Sequence, residues 1–198
     1  MDNIIYFRSF EEKDADLIYK WMNDDSLKKF SVGLNRRLCR EEALEWVKAR
    51  MKHDLFQVWW AICSKDNDTL IGYTYLSNIH YINSSANFGG LIIGDPNYKD
   101  GTAWIESYIF VLEYAFERLN LNRLYGTYIE EHPATGAMQE ATFFKIEGKL
   151  RHSVFKNGKY HDEVMTSLLA SEYYEHKNSG EYNFNSILKR LLKFLKNK

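Results

Sequence analysis

The chain of 198 residues holds two cysteines, two prolines and 11 glycines, and no apolar run in it approaches the length of a membrane span. A helix that crosses a bilayer needs ~20 consecutive apolar residues. Cys39 and Cys63 show no CxxC spacing, and no histidine cluster lies near either, which argues against a zinc site and a disulfide framework. An excess of charge of one sign is also missing. The 26 basic and 27 acidic residues leave a net charge of −1, so no global field draws the chain to nucleic acid or an anionic membrane. Around the short apolar run of Met1 to Phe10 stand Asp2 and Arg8, with no small-residue cleavage site after it. This is not a signal peptide, and cytoplasmic residence is the default expectation.

Apolar residues make up 45% of the chain and aromatics 16%, with five Trp and 14 Tyr. That is enough for one ordinary domain with a proper core, some of whose rings are free to line a groove. No internal repeat is visible. Ile4 to Phe10 predicts a strand and Glu12 to Met22 a helix with Leu17, Ile18 and Trp21 on one side. After a polar stretch, Ala43, Leu44, Val47 and Met51 recur at helical spacing over Arg40 to Met51. Gln57 to Ser64 and Thr69 to Tyr81 predict strands joined by the polar turn Lys65 to Asp68, and Asn87 to Gly94 a further strand with a bulge at Gly89-Gly90.

A long helix follows, marked by Ile105, Tyr108, Ile109, Leu112, Phe116 and Leu119. Arg123 to Glu130 predicts a strand and Ala134 to Phe144 a helix. Glu147 to Phe155 and Glu163 to Ala170 form a last hairpin around Asn157-Gly158. The order implies an α/β chain with a mixed, partly parallel sheet. Pro96 and Pro133 both mark strand-to-helix turns, where α/β proteins present helix N-termini to ligands.

One of these turns, DPNYKDGTAW over Asp95 to Trp104, has the small residues that let backbone N–H groups approach an anion. A pyrophosphate is the natural guest. Alone the signal is weak, since the Walker lysine pattern and GxGxxG are both missing and a plain turn glycine explains Gly101 equally well.

The loop has company. LIGYTYLSNIHYINSSANFGGLIIGDPNYKDG, VLEYAFERLNLNRLYGTYIEEHPAT and FFKIEGKLRHSVFKNGKYHDEVMTSLL resemble, in order and spacing, the GNAT superfamily of N-acetyltransferases. The nearest branch resembles the ribosomal-protein-alanine and nucleotide-amino-sugar acetyltransferases. The resemblance implies a GNAT-like fold, with helices flanking a mixed, centrally splayed sheet, and acetyl-CoA or another short acyl-CoA as co-substrate, with no metal. It implies that the pantetheine arm pairs with the bulged strand at Gly90, Leu91, Ile92 and Ile93. The pyrophosphate would lie on Tyr98, Lys99, Asp100, Gly101, Thr102 and Ala103.

The departures from the family pattern are specific. Its phosphate motif reads Q/R-x-x-G-x-G/A. Starting at Tyr98 puts Gly101 and Ala103 on the small positions, whereas starting at Lys99 puts Thr102 and Trp104 there. The first register is preferred, because a Trp obstructs close backbone approach. His132 precedes Pro133 where the family often has Asn, and Gln139 stands where a general-acid Tyr is common. Asn87 replaces an acidic residue, and His80 an Asp. Either acid–base work has moved to His132, Glu131, His80 or Glu130, or the amine attacks chiefly through proximity with water as base. A third alternative is an idle acyl-CoA-binding module. Trp59 and Trp60 are expected in the core, with one available to wall an acceptor pocket, while His53, His152, His161 and His176 are expected at the surface or in the core.

The match covers 1–177. In 178–198 a linker to Asn183 precedes a basic amphipathic helix with Ile187, Leu188, Leu191, Leu192 and Leu195 on one stripe. Packing on its own domain or on a homodimer partner is preferred over weak contact with an anionic membrane surface. The expected function is acyl transfer from CoA to a primary amine, with an amino-sugar or other small metabolite ahead of a protein N-terminus. A non-catalytic acyl-CoA sensor is the competing class.

Overall fold

The computed structural model describes residues 3–32, 36–132 and 134–196; Pro133 lies outside them, as do Met1 and Asp2. Among the described residues seven strands follow the hydrogen-bonded order β1-β2-β3-β4-β5-β7-β6, with helices flanking this mixed sheet. The described chain divides into two compact units, 3–29 with 36–79 and 89–108, and 30–32 with 80–88 and 109–196.

In the first unit β1 (Ile5–Arg8) leads through a 3-10 turn, Glu12–Asp14, into α1 (Ala15–Met22). The short α2 (Asp25–Lys28) is unannounced by periodicity, since four residues show no repeat; it is capped by Asp24, whose carboxylate accepts from Ser26 N. The third helix, α3 (Arg40–Met51), has the expected bounds, set by a reciprocal cap between Cys39 and Glu42. It buries Ala43 and Val47 and leaves Met51 exposed.

The predicted hairpin is present as β2 (Val58–Ser64) and β3 (Leu70–His80), paired antiparallel with Trp59 opposite Tyr75 and Ala61 opposite Tyr73. Alternation along the strands splits the apolar residues between two faces. Ala61, Cys63 and Tyr73 pack with Phe10, Ile18, Trp21 and Val47. Ile62 and Ile71 pack with Ile5 and Ala103. The last strand of this unit, the C-terminal part of β4 (Ser85–Ile93), sends Ile92 to the first cluster and Leu91 and Ile93 to the second.

In the second unit the start of β4 pairs in parallel with β5 (Arg123–Ile129), from Ser85 opposite Arg123 to Asn87 opposite Tyr125. The long helix α4 (Thr102–Glu113), whose second half belongs here, continues into a π turn over Tyr114–Arg118. After α5 (Thr135–Ala141) come β6 (Lys145–Lys156) and β7 (Lys159–Leu169), joined at Asn157 and Gly158, which have φ of +50° and +79°. Two consecutive positive φ values define the primed turn that Asn-Gly favours.

A helix that sequence periodicity does not announce, α6 (Ala170–Asn178), follows directly on β7. It buries only Tyr173, stacked on Phe116 at 4.7 Å, and its start is held by Glu172, which accepts from Leu169 N. The terminal helix α7 (Phe184–Lys196) buries Ile187 and Leu191 and packs on α5. Arg190 joins them, donating to Ala141 O and Glu181 O at 2.8 Å each. Tyr182, expected in a linker, donates its hydroxyl to Thr142 O at 2.9 Å. No described helix is long and apolar enough to cross a membrane.

Two substitutions test this packing. A Cβ at Gly72 would lie 2.2 Å from the Ile92 carbonyl oxygen, so Gly72→Ala is expected to cost about 1–3 kcal/mol in urea unfolding, as overpacking does. Ile187 is fully buried, and Ile187→Ala is expected to cost about 2–5 kcal/mol in the same assay.

Candidate functional site

The strongest candidate lies where β4 ends. Ile71 O accepts from both Gly94 N (2.8 Å) and Asp95 N (3.1 Å), which ends the strand, and Asp95 then caps a 3-10 turn at Pro96–Tyr98. Tyr98 turns inward, its hydroxyl donating to Ser64 Oγ at 2.7 Å, so its side chain is not part of the loop's open face. Lys99 and Asp100 are exposed. Gly101 has φ of +97°, a conformation side chains resist, and a Cβ there would meet nothing within 4 Å. The glycine is thus demanded by the backbone and leaves open space above the turn.

At the N-terminus of α4 the Asp100 carboxylate accepts from Thr102 N at 2.9 Å and from its hydroxyl at 3.0 Å. An anion is therefore already received by these donors, from the chain itself. Ala103 is buried and anchors the first turn of the helix. On β4, Gly90 has φ of +148° and its carbonyl accepts from Thr74 Oγ1 at 2.9 Å. A Cβ at Gly89 would lie 1.9 Å from Tyr75 Cε2, so the ring occupies the space a side chain would fill.

Tyr75 opens an aromatic wall. It stacks on Trp59 at 3.8 Å, Trp59 meets Trp46 edge-on at 5.2 Å, and Tyr73 lies 5.5 Å from Trp46. The Arg50 guanidinium sits 4.0 Å from the Trp46 ring centre and 4.7 Å from that of Trp59. Burial pushes the phenols of Tyr73 and Tyr75 up, away from ionisation. Of the two tryptophans named from sequence, Trp60 is buried, while Trp59 lines this wall.

In the second unit the candidate acid–base residues fall in separate local environments. His80 ends β3, exposed, and its Nδ1 accepts from Asn83 N at 3.0 Å. His132 is partly buried, its ring 4.7 Å from Phe30, and its Nδ1 accepts from Thr135 N at 3.2 Å. Burial lowers the His132 pKa, so the neutral ring is favoured and carries its proton on Nε2. Glu131 is exposed; its own backbone N–H and the His161 ring at 3.0 Å hold its carboxyl below the usual range.

Glu130 pairs with Lys149 at 2.6 Å. Gln139 is buried and its amide oxygen accepts from Thr166 Oγ1 at 3.3 Å, so it is tied into the packing beneath α5. Sequence reasoning missed the Glu131–His161 pair and Arg50, because their partners lie across a strand pair or on another element. No group of three metal-ligating side chains occurs among the described residues.

The family model described as an acetyltransferase (GNAT) domain matches residues 5–144. The spermidine N(1)-acetyltransferase of Vibrio cholerae is 35% identical over 105 residues, 52% of this chain and 59% of that protein. This chain thus aligns with about three-fifths of that relative's length. A putative ribosomal N-acetyltransferase of Bacillus subtilis, YdaF, is 33% identical over 106 residues, 53% of this chain and 56% of its own. Among solved structures, the Vibrio cholerae spermidine N-acetyltransferase in complex with CoA and spermine superposes with a TM-score of 0.78 at 25% identity, covering 87% of this chain and 99% of that one. With the family model spanning most of the chain, from the first strand to the end of α5, the protein belongs to the GNAT acetyltransferase family.

Proposed function

We propose that the protein transfers an acetyl group from acetyl-CoA to a primary amine of a small molecule. The observation that carries the reading is the glycine turn at Gly101 leading into α4, where backbone and hydroxyl donors already receive a carboxylate. Those donors suit a pyrophosphate, with Lys99 adding positive charge and Asp100 giving up its place. Gly90, Leu91, Ile92 and Ile93 offer extended backbone for the pantetheine arm, and the CoA bound to the solved relative supports the same choice. The amine nitrogen attacks the thioester carbonyl, a C–N bond forms and the C–S bond breaks. CoA leaves as the thiolate, and the amine loses a proton to solvent or a side chain.

Among the candidates, neutral His132 with its proton on Nε2 is suited to donate a hydrogen bond to the thioester oxygen or the departing thiolate, whose proton then comes from solvent, and ionised Glu131 to accept the proton of the amine. The finer reading, an amino-sugar acceptor, rests on the resemblance of SNIHYIN and FGGLIIGDP to nucleotide-sugar acetyltransferases. A polyamine is the second reading, favoured by the spermine bound to the solved relative.

Two measurements test this. Thiol release with acetyl-CoA and an amine panel is expected to show turnover, and Gly101→Val to raise the KM for acetyl-CoA about tenfold or more, since a side chain at positive φ strains the turn by ~1–2 kcal/mol. No turnover with any amine would sink the transferase reading. The second concerns pH. The folded state holds His132 below its ordinary 6.5, so the unfolded chain takes the proton first as pH falls. That contribution to stability is complete above 6.5 and declines below it. His132→Gln is therefore expected to flatten the fall in urea midpoint between neutral pH and the depressed folded value, and an unchanged profile would refute the assignment.

A further inference from the structure

Arg50, on the last turn of α3, is a partly buried cation that meets no carboxylate among the described residues. Arg8, Arg40 and Arg123 each meet a carboxylate, whereas the groups that act electrostatically on Arg50 are the phenols of Tyr73 and Tyr75. One of its nitrogens donates to Trp46 O at 3.1 Å, and its buried Nε has no partner among the described residues. A guanidinium has five N–H donors in a planar fork that matches a carboxylate or phosphate edge. Taking it out of water is costly, and two tryptophan faces offset only part of that. The arrangement is that of a receptor for an anion.

Its position supplies the rest. The aromatic wall runs from Arg50 through Trp59 to Tyr75, whose ring lies over Gly89 and comes within 3.6 Å of a Cβ built at Gly90. Gly90 begins the stretch assigned above to the pantetheine arm. A group held at Arg50 is therefore joined by one continuous surface to the strand that would carry the acyl group. A polyamine lacks any acid for this site and would be repelled by the guanidinium.

We propose that Arg50, walled by Trp46, Trp59 and Tyr75, holds a carboxylate or phosphate of the acceptor, so that the substrate is an amine that also carries an acid. The inference rests on the acyl-transfer reading above and narrows its substrate class. The competing explanation is that Arg50 merely covers Trp46, which requires no effect of Arg50 on acceptor choice.

The test uses the full chain, its Arg50→Met and Arg50→Lys variants, and matched acceptors: glucosamine with glucosamine 6-phosphate, phenethylamine with phenylalanine, and spermidine. The acid-bearing member of at least one pair is expected to exceed its neutral partner by about tenfold or more in kcat/KM, as loss of a buried charge pair implies. The sugar pair reports phosphate and the phenyl pair carboxylate. Arg50→Met should erase that ratio while the KM for acetyl-CoA stays put. Arg50→Lys, which keeps the charge and loses the fork, should lower it while melting like the parent, and it decides the matter if Arg50→Met does not fold.

Equal ratios in parent and variants, or a preference for spermidine or the neutral amines, would overturn the inference and leave the transferase reading intact. If no amine turns over, the transferase reading fails, and Trp fluorescence decides Arg50. A saturable change on adding glucosamine 6-phosphate or phenylalanine, lost in the variants, supports the anion site, and a flat titration refutes it.

Discussion

Close backbone packing around β4 is the constraint on which the first unit depends. A Cβ at Gly72 would meet the Ile92 carbonyl at 2.2 Å, one at Gly94 the Trp21 ring at 2.1 Å, and one at Gly89 the Tyr75 ring at 1.9 Å. Where no side chain intervenes, β3 and β4 draw together, and the indole of Trp21 seals the end of the strand.

Charge inside the first unit is handled by local pairing. Asp14 receives both terminal nitrogens of Arg8 at 2.8 Å, and it also accepts from Glu11 N. On the other face, Glu106 of α4 is buried and accepts from Ile4 N and Ile5 N, tying the first strand to the helix that leads out of the candidate phosphate turn. Buried carboxylates are tolerable when their oxygens are met by donors in this way. Arg50 differs from Arg8: burial disfavours its charge, and no carboxylate among the described residues compensates. Its guanidinium faces a row of aromatic rings instead.

The second unit uses polar contacts across strands to order its surface. Glu147, on β6, accepts from Arg123 of β5 and from Ser167 of β7, and its carboxyl falls to about 2, first through the Arg123 hydrogen bonds. Tyr173 gives α6 its anchor, stacking on Phe116 and donating to Glu117, which also meets Lys177. None of these pairs is local in sequence. Each exists because β7 lies between β5 and β6 and because α6 folds back on the π turn of α4.

Much was legible in the chain because local chemistry dictates it. The bounds of α3 follow from apolar spacing and a reciprocal cap, the β6–β7 hairpin from Asn157-Gly158, and the Gly101 turn from a residue that alone tolerates its backbone. The family resemblance rests on this same local grammar. The short α2, the weakly amphipathic α6 and the docking of α7 on α5 were beyond it, since each depends on a cap or a packing partner rather than on a repeat. The sequence by itself determined most of the strands and the longer amphipathic helices, because periodicity and turn residues act over a few positions. Only the tertiary structure decided that Tyr98 points inward, that Gln139 is spoken for by Thr166, and that Arg50 lies against two tryptophans. Those outcomes depend on what meets a side chain across the sheet, and in that direction spacing along the chain carries no information.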